Sequence, residues 1–189
     1  MFPLASSRPN RDSRAMNASL TDTLCTKCGL CCDGSLFADV ELAGRAEATG
    51  LEAMGLGVED DGDRGAVLTQ PCGALRGRLC SVYEHRPRCC RTFECRLLLD
   101  VRRGAVSVQS AGERIDEALE RIARVKVLIA RLGPRNDGLP LVESCAEALA
   151  QDVGTDPDLG RKHAELEAAM SGVEELLKKT FLGRGVGSR

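Results

Sequence analysis

The stretch Cys25-Thr26-Lys27-Cys28-Gly29-Leu30-Cys31-Cys32, or CTKCGLCC, decides how the rest of this chain is read. A Cys-x-x-Cys turn aims two sulfurs the same way, so both thiolates can reach one ion, and Gly29 tolerates the torsions such a turn needs. Two of these turns overlap here, Cys25/Cys28 and Cys28/Cys31, and Cys32 follows at once. Successive side chains in extended backbone point to opposite sides, which makes Cys31 and Cys32 poor partners on a single tetrahedral ion. Their adjacency points to two metals, a cluster or one spare thiol.

Five more thiols lie downstream in PCGALRGRLCSVYEHRPRCCRTFEC, residues 71–95, of which Cys72, Cys80, Cys90 and Cys95 are read as the second group, with Cys89 beside them. Eight sulfurs divide into two sets of four or surround one polynuclear centre, and spacing leaves open which of them share an ion. The chain carries ten cysteines, nine of them between Cys25 and Cys95, enough for several disulfides in an oxidising compartment. Residues 1–20 lack the apolar stretch of a secretory signal, and no window approaches the run of about 18–20 apolar residues that spans a membrane. A cytoplasmic location, reduced thiols and bound metal are therefore expected, with no membrane association.

Local charge fits ionised sulfurs. Between Pro71 and Arg103, eight arginines (76, 78, 86, 88, 91, 96, 102 and 103) face Glu84, Glu94 and Asp100, an excess of five positive charges. A four-thiolate zinc site carries a net charge of about −2, which neighbouring guanidinium groups stabilise. An RNA-binding face would use the same arginines, but the stacking aromatics of such surfaces are missing, and no nucleic-acid partner is expected. The formal charge of the whole chain, −2, favours neither nucleic acid nor an acidic membrane.

Outward from the cysteines, residues 1–20 read as a disordered arm rich in Ser, Arg and Asn. Leu36 to Met54 has helical character, with Leu36, Val40, Leu42 and Leu51 as apolar marks and Gly50 and Gly55 as stops. Residues 59–65 (EDDGDRG) form an acidic turn in which Asp60, Asp61 and Asp63 lack the further ligands of a calcium loop. GAVLT and RLCSVY read as short strands, and residues 96–109 (RLLLDVRRGAVSVQ) as a β-hairpin turning at Arg103-Gly104. Ile115, Leu119, Ile122, Val125, Ile129 and Leu132 then recur at spacings of three and four, placing an apolar stripe on a helix that ends at Gly133-Pro134. A second helix is expected over roughly 140–152. A third has Asp156 as cap and Pro157 in its first turn, with a stripe from Leu159 through His163, Leu166, Met170, Val173 and Leu177 to Phe181.

The fold class that emerges is α+β: a small, irregular, cysteine-rich, metal-bound core with short strands and a hairpin, followed by C-terminal amphipathic helices. Its expected divisions are an arm over 1–20, a cysteine-cluster domain over 21–109, a helical scaffold over 110–183 and a flexible tail over 184–189. Few aromatics are available to the core (Phe2, Phe37, Tyr83, Phe93 and Phe181), so the cysteine-rich half leans on cross-links through metal.

Within 24–96, CTKCGLCC at 25–32, PC at 71–72, CSVYEHRP at 80–87 and CRTFEC at 90–95 resemble the YkgJ-like cysteine-cluster family, marked by CxxCxxCC and described as zinc- or iron-chelating. The resemblance implies a bacterial-type intracellular protein whose ligands are Cys25, Cys28, Cys31, Cys32, Cys72, Cys80, Cys90 and Cys95. Cys89 falls outside its pattern, and the chain departs from it at Gly73 and Glu94. It names no reaction, and no residue is assigned a catalytic role.

Three functions follow as expectations. In the first, zinc is structural and the assembled surface engages another protein; an all-cysteine ligand set leaves no open position for a water nucleophile. The second is an iron-sulfur protein with a redox or sensing role, suggested by the CxxCxxC spacing. In the third the chain is accessory to protein modification, because some larger proteins with related clusters are linked to flagellin lysine methylation. Tyr83, Arg86 and Pro87 are read as packing around the cluster, His163 as a satisfied core or boundary histidine and Cys145 as a small buried hydrophobe, while His85, the only histidine near the cluster, is chemically able to replace a cysteine on zinc but is not placed in the ligand set.

Overall fold

The computed structural model describes residues 20, 21, 23–133, 136, 138–150 and 156–183. Apart from Leu20, the expected N-terminal arm lies outside the described residues, as does the tail over 184–189. Residues 23–28 are helical (α1) and carry Cys25 and Cys28. Then follow β1 (Asp39–Glu41), α2 (Arg45–Ala53), β2 (Val58–Asp60), β3 (Ala66–Thr69), β4 (Leu75–Arg76) and β5 (Leu79–Cys80). Two short helices, α3 (Arg88–Thr92) and α4 (Arg96–Arg102), lead into α5 (Val108–Leu132), α6 (Leu141–Leu149) and α7 (Pro157–Leu177), and the chain continues as a π-helical turn over Lys178–Leu182. The architecture is α+β, with the cysteine-rich segments N-terminal and the long helices C-terminal.

The long helices form where the apolar stripes placed them. Buried residues of α5 fall at Ala111, Ile115, Ala118, Ile122, Val125, Leu128 and Ile129, one face of a 3.6-residue period. Ser107 caps this helix, its Oγ accepting from the Ser110 N–H at 3.0 Å. Asp156 caps α7 by accepting from the N–H groups of Asp158 and Leu159, with Pro157 in the first turn where its missing N–H costs nothing. Cys145 is buried in α6 as a small hydrophobe. His163 is buried in α7, but its Nε2 finds no hydrogen-bond partner among the described residues, so the expected satisfaction is incomplete.

Three sequence expectations are corrected. Residues 96–102 are helix rather than the first strand of a hairpin: Leu97, Leu98 and Val101 are buried at helical spacing, and the Cys95 sulfur accepts from the Leu98 N–H at 3.4 Å as an N-cap. The turn at Arg103-Gly104 is real, yet the chain leaves it into α5, already helical at Val108. The helix expected over 36–54 is confined to Arg45–Ala53, because Val40 and Leu42 alternate with Asp39 and Glu41 at the period of a strand. RLCSVY is also only partly strand, passing from β5 into a 3₁₀ turn at Tyr83–His85.

Hydrophobic side chains sort into two cores. The larger joins α4, α5, α6, α7 and the buried Phe181 to Leu24 and Leu30 from the first cysteine segment. The smaller consists of Leu51, Leu56, Leu68 and Ala74 under the antiparallel sheet of order β1-β3-β2, where Val40 and Val58 both stand opposite Leu68. Cys28 and Cys95 pack against the larger core and Cys72 and Cys80 against the smaller one. Among the described residues no helix is long and apolar enough to cross a membrane.

Candidate metal centre

The first cysteine loop is held from three sides. The Gly29 N–H donates to the Cys25 carbonyl at 3.2 Å as α1 ends, and the chain turns at Gly29 with φ +73°, a torsion natural to glycine. Leu30, with no exposed surface, then plugs the loop into the helical core, while the Arg78 guanidinium donates to the Lys27 carbonyl from the β4–β5 side. Gly34 passes so close to the α6 entrance that an added Cβ would stand 3.0 Å from Pro140 Cα and 3.3 Å from Pro71. The Leu141 N–H donates to the Gly34 carbonyl at 2.9 Å.

The second group comes from three further segments. The Cys72 N–H donates to the Cys32 carbonyl at 2.8 Å, a direct backbone tie between the two cysteine groups. The β4–β5 ribbon pairs Leu75 with Cys80, and the Cys72 carbonyl accepts from the Leu75 N–H at 2.9 Å, so Cys72 and Cys80 flank one tight turn. Cys89 and Cys90 ride on α3, whose first N–H, at Arg88, is held by Glu47 Oε1 at 2.7 Å. Glu47 Oε2 accepts from the Ala43 N–H at 2.8 Å, so one carboxylate links the entrance of α2 to the last cysteine segment. Phe37 and Phe93 meet edge to face at 5.1 Å and bring the first loop against the Phe93–Cys95 corner.

The eight predicted positions are therefore gathered in one region. Cys25 is exposed, and the other seven are partly buried. Cys89 is also partly buried, with its sulfur 4.0 Å from that of Cys90. His85 lies exposed on its 3₁₀ turn, and Arg86 covers the exposed Tyr83 ring at 3.5 Å from its centre, a contact between the two side chains rather than the packing on the cysteines expected of Tyr83. Asp60 Oδ1 accepts from the Gly62 N–H at 3.0 Å, the self-contained geometry of a solvated turn. Among the described residues no three Cys, His, Asp or Glu side chains already converge to hold an ion. A cysteine sulfur moves by rotation about a single bond, so closing on a metal asks for χ1 changes within this neighbourhood.

Electrostatics show which sulfurs crowd one another. Burial pushes the Cys28 thiol from its ordinary 9.0 up to about 12 against a hydrogen bond from the Leu30 backbone, and Cys95 and Cys25 push the same way. Cys31 is raised by burial, then by Cys28, Cys32, Cys95 and Cys25. Cys32 is pushed up to about 12 by burial, then by Cys72 and Cys80, while Arg86 pulls it down. Cys72 is raised by burial against a hydrogen bond from the Ala74 N–H, with Cys80 adding to the rise. Cys90 is raised first through its hydrogen bond with Cys89, then by burial and by the nearness of Cys32 and Cys72. Burial raises Cys95 as well. Six of the eight thiols thus hold their protons near neutral pH, because ionising any one alone would strand a charge among buried sulfurs.

Three residues that position the centre escape a reading of the sequence: Leu30, Glu47 and Gly34. Glu47 bonds a residue 41 positions away and has no local signature. Leu30 carries the one available signal, as the only large apolar residue inside the cysteine run.

Residues 24–115 match the family model CxxCxxCC, described as a putative zinc- or iron-chelating domain. The match reaches past Cys95, through α4 and into the first turns of α5. No curated protein and no solved structure matches the chain.

Proposed function

We propose that this chain, through the CxxCxxCC domain carried by residues 24–115, is a metal-binding protein. In this reading Cys25, Cys28, Cys31, Cys32, Cys72, Cys80, Cys90 and Cys95 hold zinc or iron, and the metal is structural. The observation that carries it is the gathering of cysteines from separate segments: Cys28 and Cys95 pack on the larger core, Cys72 and Cys80 on the smaller, and the Cys72 N–H ties the two groups together at the Cys32 carbonyl. Packing alone would use hydrocarbon there. Thiols that are costly to ionise singly become favourable together once a cation compensates their charge. The donor set is all sulfur, which suits zinc and iron-sulfur centres and disfavours magnesium or calcium.

Zinc is the preferred ion, since four thiolates close its coordination shell and leave a centre whose contribution is to folding. An iron-sulfur centre is the second reading, supported by the tight CxxCxxC spacing. Either centre places the protein's working location in a reducing compartment such as the cytoplasm. A protein partner is the role we assign to the outer surface: Leu79 and Tyr83 are exposed beside Cys80, among Arg76, Arg78, Arg86 and Arg88. This mixture of apolar and guanidinium groups suits an acidic protein surface.

Proton release on metal binding tests the proposal. Zinc added to the reduced, metal-free chain at pH 7 is expected to release about four protons per ion, followed with a pH indicator in weak buffer. The sign follows from the raised thiols: protons leave as metal enters, so affinity rises with pH across the neutral range. Binding that released no protons and was indifferent to pH would contradict thiolate ligation.

A further inference from the structure

We propose that the eight cysteines form two separate four-sulfur centres, Cys25, Cys28, Cys31 and Cys95 on the helical side and Cys32, Cys72, Cys80 and Cys90 on the sheet side. The peptide between Cys31 and Cys32 is the divide. This division rests on the reading that these cysteines hold metal, and it specifies which of them share an ion.

Packing is the first ground. Cys28 and Cys95 pack against the helical core, next to Leu24, Leu30, Leu97 and Leu98. Cys72 and Cys80 pack against the other core, next to Leu51, Leu56, Leu68 and Ala74. No cysteine of the eight is shared between the two cores. The Gly29 N–H bond to the Cys25 carbonyl keeps Cys25 and Cys28 on the loop that leads to Cys31, and Cys32 stands at its edge: its N–H bonds back to the Gly29 carbonyl at 2.9 Å, while its carbonyl accepts from the Cys72 N–H at 2.8 Å on the β4–β5 side. Adjacent side chains splay apart, so the chain can pass from one centre to the other in a single residue.

The nearness of one sulfur to another follows the same grouping. Cys28 is pressed by Cys95 and Cys25, and Cys31 by Cys28, Cys95 and Cys25, with Cys32 as the only neighbour from the other set. Cys32 is pressed by Cys72 and Cys80, Cys72 by Cys80, and Cys90 by Cys32 and Cys72 along with Cys89. Apart from the adjacent Cys31 and Cys32, and Cys89 beside Cys90, the neighbours named here lie within one set. The two sets also differ in charged surroundings. Arg76 and Arg86 bear on Cys72 and Cys32 of the sheet side and Glu94 on Cys95 of the helical side, while Asp33, next to the divide, bears on both Cys28 and Cys32. Zinc or another four-coordinate thiophilic ion fits each set of four.

Cadmium-113 serves as a probe that takes the same thiolate ligands and is visible by NMR. The reduced full-length chain, loaded with cadmium, is expected to give two cadmium resonances without cadmium–cadmium coupling. Proton–cadmium correlation should connect one resonance to the β-protons of Cys25, Cys28, Cys31 and Cys95 and the other to those of Cys32, Cys72, Cys80 and Cys90. No substitution is needed, so a folding defect cannot imitate the result. One resonance correlated with cysteines of both sets, or coupled cadmium signals from a bridging sulfur, would overturn the division while leaving metal binding intact. Failure to bind cadmium at all would overturn the underlying reading together with the division.

Discussion

Stripping the metal with a strong chelator under reducing conditions is expected to unfold the sheet-bearing half of the chain and leave the long helices standing. The smaller core has only Leu51, Leu56, Leu68 and Ala74 fully enclosed as a cluster, too few to hold β1–β5 and α2 without cross-links. Structural zinc contributes on the order of 10 kcal/mol in small zinc-dependent folds, so its removal outweighs the truncation of any single side chain. By contrast α5 and α7 contribute Ile115, Ile122, Val125, Leu166, Met170 and Val173 to the larger core, none of them a metal-ligating side chain. Amide hydrogen exchange should read this directly, with protection lost across β1, β2 and β3 and kept through the middle of α5 and α7. Equal protection in the metal-bound and stripped protein would mean that the metal, if bound, is not structural.

Leu30→Ala is the substitution expected to cost most. Leu30 is fully enclosed and is the only apolar anchor between Cys28 and Cys31, so truncation leaves a cavity worth about 2–5 kcal/mol. The loss should appear in urea unfolding of the metal-free chain, where the helical core supplies the transition, and again as weaker metal affinity because the loop presenting Cys25, Cys28 and Cys31 is less fixed. Leu79→Ala is the matched control: Leu79 is 56% exposed, and a change within about 0.5 kcal/mol is expected. A Leu30→Ala protein as stable as this control would show that the loop is not anchored through the helical core.

Much of the fold is legible in sequence where a single period governs a long segment. The stripes of α5 and α7, the Asp156–Pro157 start and the small buried Cys145 all follow from local pattern. Legibility fails at Arg96–Arg102, where Leu97-Leu98-Leu99 and Val101 satisfy both a buried strand and a buried helix turn. The deciding contact there is the Cys95 sulfur capping the Leu98 N–H, an atypical cap that propensity scales do not anticipate. It fails again at Val40 and Leu42, whose alternation is two residues deep and merges with the pattern of the helix that follows.

The first cysteine group stands out in sequence because overlapping Cys-x-x-Cys turns have a direct geometric meaning, whereas Cys72, Cys80, Cys90 and Cys95 have no such spacing and are singled out from Cys89 by the family resemblance. The grouping of all eight is not legible there. Cys95 joins Cys28 across 67 positions only because α4 and α1 share the helical core, and Cys32 joins Cys72 through a backbone bond spanning 40 positions. Long-range pairings of this kind leave no periodic trace. The same is true of Glu47, an ordinary surface glutamate in sequence that fastens the last cysteine segment to α2.

The most direct test is elemental analysis with a UV–visible spectrum on chain purified anaerobically without an affinity-metal column. The account predicts stoichiometric thiophilic metal, about two zinc ions per chain with no visible absorption, or iron with acid-labile sulfide and a brown colour if the second reading holds. A folded protein carrying neither metal, with all its thiols free to react, would contradict it.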